Sequence, residues 1–324
     1  MQMKMLKGIM ITNAFLRTNK FVEHFQWLER AAERSGIVLS LFTNVSLLSV
    51  FDGRKMDAFL CDIDFILFWD KDISAGRVLA AICAEKGIPI FNSIESIEVS
   101  DDKSATQRIL WEYNCHADRK ESIPLIPTMI APFTYSNIGY DNVDFVEDVI
   151  AYMGLPVVIK ECRGSFGMQV YLAKTKEEVI KYTKELAGKS FLYQAFVSGS
   201  CGRDVRLQVV GEQVVAAMYR HSVKGDFRAN LTIGGEMMPY SPSARECQIA
   251  FQAAKCLGLS FAGVDLLFAS EDEEEATLLC EVNSNAHFKN IFTCTGVNVA
   301  ECMMEEIRRQ CEKLDMRRKS AGSK

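Results

Sequence analysis

Hydrophobic residues along the first third of the chain follow two alternating spacings, which predict an α/β arrangement. Short apolar runs typical of buried strands occupy residues 8–12, 37–42, 65–68 and 88–91. Between them, apolar side chains three or four positions apart predict helices at 20–34 and 77–85. Strands that alternate with helices favour a small parallel sheet.

Further along the chain the pattern becomes richer in strands. Strands and helices alternate again between residues 143 and 196, and beyond Gly199 most apolar runs predict strands. The pair Gly211-Glu212 separates two of these runs and predicts a tight hairpin. Helices are predicted at 247–257 and 297–310, and the basic residues that follow predict a frayed, solvated tail.

Composition excludes several classes of protein. The chain has 324 residues, enough for two or three domains, and 37 basic against 42 acidic residues give a net charge of −5. It therefore lacks the overall positive charge that is typical of a protein that binds nucleic acid. No stretch approaches the roughly 20 apolar residues of a membrane helix. Eleven cysteines without CxxC spacing favour a reducing compartment. We expect a soluble cytoplasmic protein without nucleic-acid or membrane partners. The sequence leaves open whether the protein forms a homo-oligomer.

A lysine followed by a glycine loop is the first candidate for chemistry. Lys160 ends an apolar strand, and the loop after it contains Gly164 and Gly167. Backbone N–H groups of such a loop can lie over phosphate oxygens, whose charge the lysine can neutralise. The alternative for this segment alone is an ordinary glycine hairpin with a surface lysine. No G-x-G-x-x-G motif follows the first strand, so the N-terminal part is predicted to be a scaffold.

Two acidic residues inside apolar strands are the second candidate. Asp265 lies in the middle of one predicted strand, while Glu281 and Asn283 are two positions apart on the next and share a face. A carboxylate in a core strand is costly unless it is paired or binds a metal, and oxygen donors suit Mg²⁺. The alternative is that one carboxylate lies at a sheet edge and the other caps a helix.

A local group of cations is the third candidate. Within this acidic chain, basic residues concentrate at Arg203, Arg206, Arg220, Lys224 and Arg228. Arginine is well suited to bind phosphate or carboxylate. The alternative is a solvated basic face.

In this order, the three segments resemble the ATP-grasp superfamily, and within it the RimK-type ATP-dependent amino-acid ligases (α-L-glutamate ligases). The resemblance rests on Asp102-Lys103, on Lys160 with its loop, on the stretches that start at Gly202 and Gly263, and on Glu281-Val-Asn-Ser. It implies an ATP-grasp fold of α/β and α+β parts. The implied domains are an N-terminal Rossmann-like pre-ATP-grasp domain (1–98), a central domain with the glycine lid (99–195), a C-terminal domain with the metal site (196–312) and the basic tail (313–324).

The resemblance also implies roles for individual residues. Nucleotide contacts would come from Lys103, Lys160, Gly164, Ser165, Phe166, Gly167, Gln194, Ala195, Phe196, Val197, Asp204, Arg228, Ala229 and Asn230. Lys160 and Arg228 would also act in catalysis. Asp265, Glu281 and Asn283 would hold one or two Mg²⁺, with Mn²⁺ as an alternative. Arg206 and His287 are candidates for the acceptor site, and a structural or exposed role is the alternative for His287.

The implied reaction joins a carboxylate to an amine. ATP would convert the carboxylate to an acyl phosphate, and an amine acceptor (an amino acid, peptide or protein) would attack it to give an amide, ADP and phosphate. Glutamate is the candidate added group. Residues 284–290 depart from the small-Pro-Gly turn of the family, which predicts a reshaped acceptor pocket. A peptide-tailoring or macrocyclising ligase, or a catalytically silent ATP-binding regulator, are the alternatives.

Overall fold

Three β-sheets organise the chain, and each gathers strands from one stretch of the sequence. The computed structural model describes residues 4–51, 55–164, 168–223, 225–229, 235–270 and 277–321. The mixed α/β architecture predicted from the apolar pattern is confirmed.

The N-terminal sheet is parallel, as the alternation of strands and helices predicted. Its strands are β1 (Leu6–Thr12), β2 (Ile37–Thr43), β3 (Phe65–Trp69) and β4 (Ile90–Phe91), in the order β2-β1-β3-β4. The helices of this region are α1 (Asn19–Arg34), α2 (Leu48–Phe51), α3 (Met56–Phe59), α4 (Ile73–Lys86) and α5 (Ile94–Asp101). Every residue of β3 is buried, because helices cover both faces of a parallel sheet.

Helix α6 (Lys103–His116) begins directly after an aspartate that caps it. Asp102 is the cap: its Oδ1 accepts hydrogen bonds from the backbone N–H groups of Ser104 at 2.9 Å and Ala105 at 3.3 Å. Asp101 ends α5 instead and forms an ion pair with Lys71.

A small antiparallel sheet follows α6. It contains β5 (Thr128–Ile130), β6 (Val157–Glu161), β7 (Val170–Ala173) and β8 (Phe191–Ala195) in the order β5-β8-β6-β7, with helices α7 (Phe145–Met153) and α8 (Lys176–Glu185). Val158 lies opposite Gln194 in the register of β6 and β8. Lys160, two residues after Val158, therefore lies on the same face as Gln194.

The third sheet is the largest and is antiparallel. Its strands are β9 (Arg203–Val210), β10 (Gln213–Ser222), β11 (Gly235–Pro239), β12 (Phe261–Phe268) and β13 (Thr277–Asn283), in the order β11-β10-β9-β12-β13. The hairpin predicted at Gly211-Glu212 connects β9 and β10. Helix α9 (Ala244–Cys256) packs on this sheet together with Leu110 of α6. Helix α6 thus packs with the third sheet. The domain boundaries near 98 and 195 stay predictions.

Beyond residue 312 the chain does not fray, although most side chains there are exposed, as the prediction of a solvated basic tail has it. After α10 (Lys289–Thr295), helix α11 runs unbroken as Val299–Ala321. Met304, Ile307 and Cys311 of α11 are buried in the core shared with α1 and the N-terminal sheet. Basic residues also interact favourably with the C-terminal end of a helix dipole, and Arg318 donates a hydrogen bond to the carbonyl of Gly87. The basic residues after 312 therefore extend a helix that is packed against the core before them, and they themselves remain mostly exposed.

Arg308 is the polar anchor of α11 on the N-terminal sheet, and its removal tests the importance of this contact. Its guanidinium donates to three backbone carbonyls, those of Ser35 (2.8 Å), Gly36 (2.7 Å) and Lys4 (3.0 Å). We expect Arg308→Ala to lower the free energy of unfolding by about 2–3 kcal/mol, since hydrogen bonds to charged groups are the stronger ones. Urea unfolding followed by circular dichroism measures this change. The exposed Arg317→Ala is the control and should change it by less than about 0.5 kcal/mol; equal effects would contradict the anchoring role.

Two further features of the described residues are the state of the cysteines and the character of the helices. All eleven cysteines lie in the described residues and are free thiols. Among the helices of the described ranges, none combines the length and apolar character needed to cross a membrane.

Candidate active site

A cavity of about 830 Å³ lies where the three sheets meet. It is lined by the ends of β6 and β8 in the small sheet, by β9, β12 and β13 in the large sheet, and by residues that follow β1 and β3 in the N-terminal sheet. This volume is at the upper end of the range typical of small-molecule sites. The cavity can therefore hold more than one substrate.

Part of the cavity lining is apolar. Val158, Val170 and Leu267 contribute aliphatic side chains, and Phe196 lies in the segment that leads from the small sheet to the large one. Backbone and aliphatic groups in this arrangement can enclose a flat ring while polar groups at its edge set its orientation.

Lys160 lines the same cavity and is held in position there. Its Nζ donates a hydrogen bond to Oε1 of Gln194 at 2.6 Å, and Nε2 of Gln194 donates to Oγ1 of Thr128 at 3.0 Å. The Sγ of Cys280 lies 3.9 Å from the same Nζ. Burial raises the pKa of Cys280 to about 11, against the opposing effect of Lys160, so this thiol stays protonated near neutral pH.

Four buried charged side chains form a continuous cluster across β10, β9 and β12. The register places Arg220 opposite Asp204 and Arg206 opposite Asp265. Arg220 donates through Nε to Oδ1 of Asp204 at 2.6 Å and through Nη2 to Oδ1 of Asp265 at 2.9 Å. Arg206 forms a two-point contact with Asp265, in which Nη2 lies 2.6 Å from Oδ2. All four side chains are at most 14% exposed, so the two positive and two negative charges compensate each other away from water.

The two carboxylates of this cluster differ in acidity. Burial opposes ionisation of Asp265, but Arg206 and Arg220 outweigh it and hold the pKa of this carboxyl below its usual value. Burial dominates at Asp204 and raises its pKa despite the contact with Arg220. Asp265 is therefore the firmly ionised member of the cluster.

The three residues predicted to bind a metal lie close together on β12 and β13. Asp265 is directly opposite Glu281, and Asn283 is two residues further on the same face. Oxygen donors of this kind suit Mg²⁺, and both carboxylates would benefit from a cation between them. Both oxygens of Asp265 already accept hydrogen bonds from arginines, so a metal would share this carboxylate with them. In the described ranges no cluster of three or more His, Cys, Asp or Glu forms a metal site; the donor set consists of two carboxylates and an amide.

Arg228 and Ala229 both line the cavity after β10. The guanidinium of Arg228 contacts Asp226, with Nη2 2.9 Å from Oδ2, and lies over the ring of Phe227. Its side chain is 29% exposed, which leaves it more accessible than the arginines of the buried cluster. Asn230 and Lys224 lie outside the described residues.

The glycine loop and Lys103 are only partly described. Gly164 lines the cavity, whereas Ser165, Phe166 and Gly167 lie outside the described residues. Nζ of Lys103 donates to the carbonyl of Gly164 at 3.3 Å. Lys103 lines a neighbouring cavity of about 30 Å³ that shares Lys160 and Glu281 with the large one.

The two acceptor-site candidates lie in different surroundings. Arg206 lines the cavity but is engaged with Asp265. His287 lines the cavity on the side of the N-terminal sheet. The centroid of its ring lies 4.2 Å from that of His24 and 5.3 Å from that of Phe21. Only His287 therefore lies near the part of the cavity that the N-terminal sheet builds.

Most residues chosen from the sequence meet at this one cavity. Those that line it are Lys160, Gly164, Gln194, Ala195, Phe196, Val197, Asp204, Arg206, Arg228, Ala229, Asp265, Glu281, Asn283 and His287. The sequence interpretation missed the contribution of the N-terminal sheet, which supplies Asn13, Asp70, Asp72 and Asp101. A signal was available, because Asp70 follows β3 directly and ligand sites form at the carboxyl ends of parallel strands.

Comparison with known proteins identifies the family. The profile of the RimK-like ATP-grasp domain matches residues 118–307, more than half of the chain. The chain therefore belongs to the RimK-like ATP-grasp family, as the ordered motifs predicted.

Individual relatives agree with this assignment. An uncharacterised protein of Mycoplasma pneumoniae, the MG012 homolog, is 28% identical over 296 residues, which cover 91% of this chain and 96% of that protein. A probable alpha-L-glutamate ligase of Citrobacter koseri is 34% identical over 194 residues, covering 59% of this chain and 63% of the ligase. The match thus spans less than two thirds of that ligase's own length.

Solved structures show the same fold. The ATP-grasp ligase PsnB, complexed with a minimal precursor, superposes with a TM-score of 0.67 at 15% identity, covering 95% of this chain and 100% of PsnB. PsnB has also been solved with Mg and ADP, in a complex with a phosphomimetic variant of the minimal precursor. The predicted ATP-grasp fold is confirmed.

Proposed function

We propose that this protein is an ATP-dependent carboxylate–amine ligase that forms an amide bond through an acyl phosphate. It would add an amino acid such as glutamate to an amino acid, a peptide or a protein. The observation that carries the proposal is that three separate sequence segments, containing Lys160, Arg228 and Glu281, line one cavity. Family membership and the names of the ligase relatives support it.

The cavity suggests how ATP would lie. The apolar residues of the lining, Phe196 and Leu267 among them, suit adenine, and Lys160 and the acidic strand β13 suit the phosphates and their metal. Lys160 would neutralise phosphate charge from a position that Gln194 fixes in advance. A preorganised cation costs little reorganisation when charge develops in the transition state.

Magnesium fits the acidic residues of the large sheet. Glu281 and Asn283 would hold it together with an oxygen of Asp265, with Mn²⁺ as an alternative. When bound, the metal would neutralise phosphate charge during the transfer of the γ-phosphoryl group.

The protein's own residues account for the remaining requirements of the reaction. Arg228 faces the cavity and can stabilise the anionic states formed when the carboxylate is phosphorylated and when the amine attacks. The reaction needs no covalent intermediate on the enzyme. The thiol of Cys280, the cysteine that lines the cavity, stays protonated near neutral pH and would be a poor nucleophile there.

A peptide-tailoring ligase is the second candidate. Asn285, His287 and Asn290, from the segment that departs from the family's usual turn, all line the cavity. A segment that departs from the family's usual turn thus contributes to the cavity, and PsnB has been solved with a minimal precursor. A macrocyclising activity belongs to the same class, since its amine and carboxylate come from one peptide.

A screen for ADP release tests the proposal. The protein with ATP and Mg²⁺ is offered amino acids in pairs, then amino acids with peptides, and products are identified by mass spectrometry. We expect at least one pair to give ADP together with a product whose mass is that of the two substrates minus water. Glu281→Ala, purified in the same way, is the control for contaminating ATPases and should not support product formation.

Three results would separate the alternatives. A product from two free amino acids or from an amino acid and a peptide supports the ligase. A dehydrated single peptide supports the tailoring enzyme. ATP binding measured by calorimetry, without ADP release from any pair, would contradict the proposal and favour the silent regulatory protein.

A further inference from the structure

The wall of the cavity formed by the N-terminal sheet carries an incompletely paired carboxylate. Asp70 is 5% exposed and lies immediately after β3. Its Oδ1 accepts hydrogen bonds from the backbone N–H of Lys71 at 2.7 Å and from Nδ2 of Asn13 at 3.2 Å. Its Oδ2 is buried and has no hydrogen-bond partner among the described residues. Such groups are rare in native proteins, because an unsatisfied buried acceptor is costly.

A second acceptor without a partner belongs to the residue that contacts Asp70. Nδ2 of Asn285 donates to the backbone carbonyl of Asp70 at 3.1 Å, which joins the segment after β13 to the end of β3. Oδ1 of Asn285 is buried and, within the described part of the chain, also has no hydrogen-bond partner. Both side chains line the cavity, so this place combines a surplus of acceptors with a shortage of donors.

The charges around the cavity are divided between its walls. Asp70, Asp72 and Asp101 line the N-terminal wall, where Lys71 is paired with Asp101. Lys160 and four arginines line the walls built by the other two sheets, together with the carboxylates of Asp204, Asp265 and Glu281. Burial raises the pKa of the Asp70 carboxyl, which a cationic ligand would counteract. The N-terminal wall, where acidic residues are in excess, is therefore suited to a positively charged group.

We propose that Asp70, with Asn285, binds the protonated amino group of a free amino acid that serves as the amine substrate. A primary ammonium group has three N–H donors and a positive charge, which would satisfy Oδ2 of Asp70 and Oδ1 of Asn285 together. This inference rests on the proposed ligase function and narrows the amine substrate to an amino acid held on the wall of the N-terminal sheet.

Calorimetry with matched ligands and variants tests the inference. Protein saturated with the non-hydrolysable analogue AMPPNP and Mg²⁺ is titrated with each standard L-amino acid, and the tightest binder is compared with its desamino acid (for L-glutamate, glutarate). We expect the wild type to bind the amino acid about 10- to 100-fold more tightly than the desamino acid. In Asp70→Asn this preference should vanish, because the two changes remove the same contact.

Asp72→Asn is the matched control. It removes the same charge from the same wall, but the Asp72 carboxylate already accepts hydrogen bonds from the N–H of Ala75 at 3.1 Å and from Nδ2 of Asn44 at 3.3 Å. The preference for the amino acid should survive in this variant. The apo form of Asp70→Asn should melt at the wild-type temperature or above, since it loses a buried charge without a complete set of partners.

Each of the other outcomes contradicts the inference, and one of them also contradicts the proposed function. If AMPPNP binds but no amino acid does, or if Asp70→Asn keeps the preference, the inference is wrong and the proposed function stands. If Asp72→Asn loses the preference as fully as Asp70→Asn, the general charge of the wall decides binding and the specific role of Asp70 is wrong. If AMPPNP does not bind to the wild type, the proposed function fails and the inference with it.

Discussion

Replacing Lys160 with alanine is expected to lower the rate of ADP formation by about 10²–10³-fold, the loss typical when one preorganised electrostatic group is removed. Lys160 extends from β6 into the cavity, where Gln194 fixes its ammonium group. Water that replaces it can solvate phosphates but cannot hold a positive charge in place. The rate is measured with a coupled ADP assay on the substrate pair that the screen identifies.

A second lysine of the same sheet region provides the control for Lys160→Ala. Lys174 follows β7 and is exposed, so Lys174→Ala removes the same charge outside the cavity. It should leave the rate unchanged. Lys160→Ala should also remain folded, with a cost of about 1–3 kcal/mol from the acceptor left on Gln194, which thermal unfolding can show. Unchanged turnover in a folded Lys160→Ala protein would contradict the assignment of the cavity as the active site.

The part of the site that the sequence predicted well depends on spacing within single strands. Residues two apart on a strand share a face, which is why the sequence alone places Glu281 and Asn283 together. The pairing of strands is non-local. Strand β9 lies between β10 and β12, and Arg206 lies opposite Asp265. No local sequence pattern specifies this strand order and register.

Two features that the sequence interpretation did not predict, the continuation of helix α11 and the place of Asp70 in the cavity, depend on long-range packing. The residues after 312 have the composition of a solvated tail, but Cys311 and Arg308 anchor the helix that contains them on elements some 270 residues earlier in the chain, as for the contact of Arg308 with Ser35. Asp70 is a charged residue directly after a strand, yet it is 5% exposed, and Asn285, more than 200 residues later in the chain, donates a hydrogen bond to its backbone carbonyl. Composition describes what a segment prefers when alone, and long-range packing overrides it in both places.

Asp265→Ala is expected to lower the free energy of unfolding by about 3–5 kcal/mol, because it leaves buried charge without its counterpart. Asp265 is the carboxylate that both Arg206 and Arg220 contact, and its side chain is 7% exposed. With alanine in its place, Arg220 retains Asp204, but Arg206 loses its ion-pair partner in a site with little water. Urea unfolding at neutral pH measures the change.

The pH dependence of this difference separates a charge effect from a packing effect. Because the pKa of Asp265 is lower in the folded protein than its usual value, the folded state binds fewer protons than the unfolded state as pH falls through the usual range. The stabilisation is therefore complete above that range and is lost as pH falls through the lowered pKa. The difference in free energy of unfolding between the wild type and Asp265→Ala should therefore become smaller on acidification. Ile249→Ala, which leaves a cavity in the core packed on the same sheet, should lower the free energy of unfolding by a nearly constant amount at every pH. A gap for Asp265→Ala that does not change with pH would mean that the side chain's packing, and not its charge, holds the cluster together.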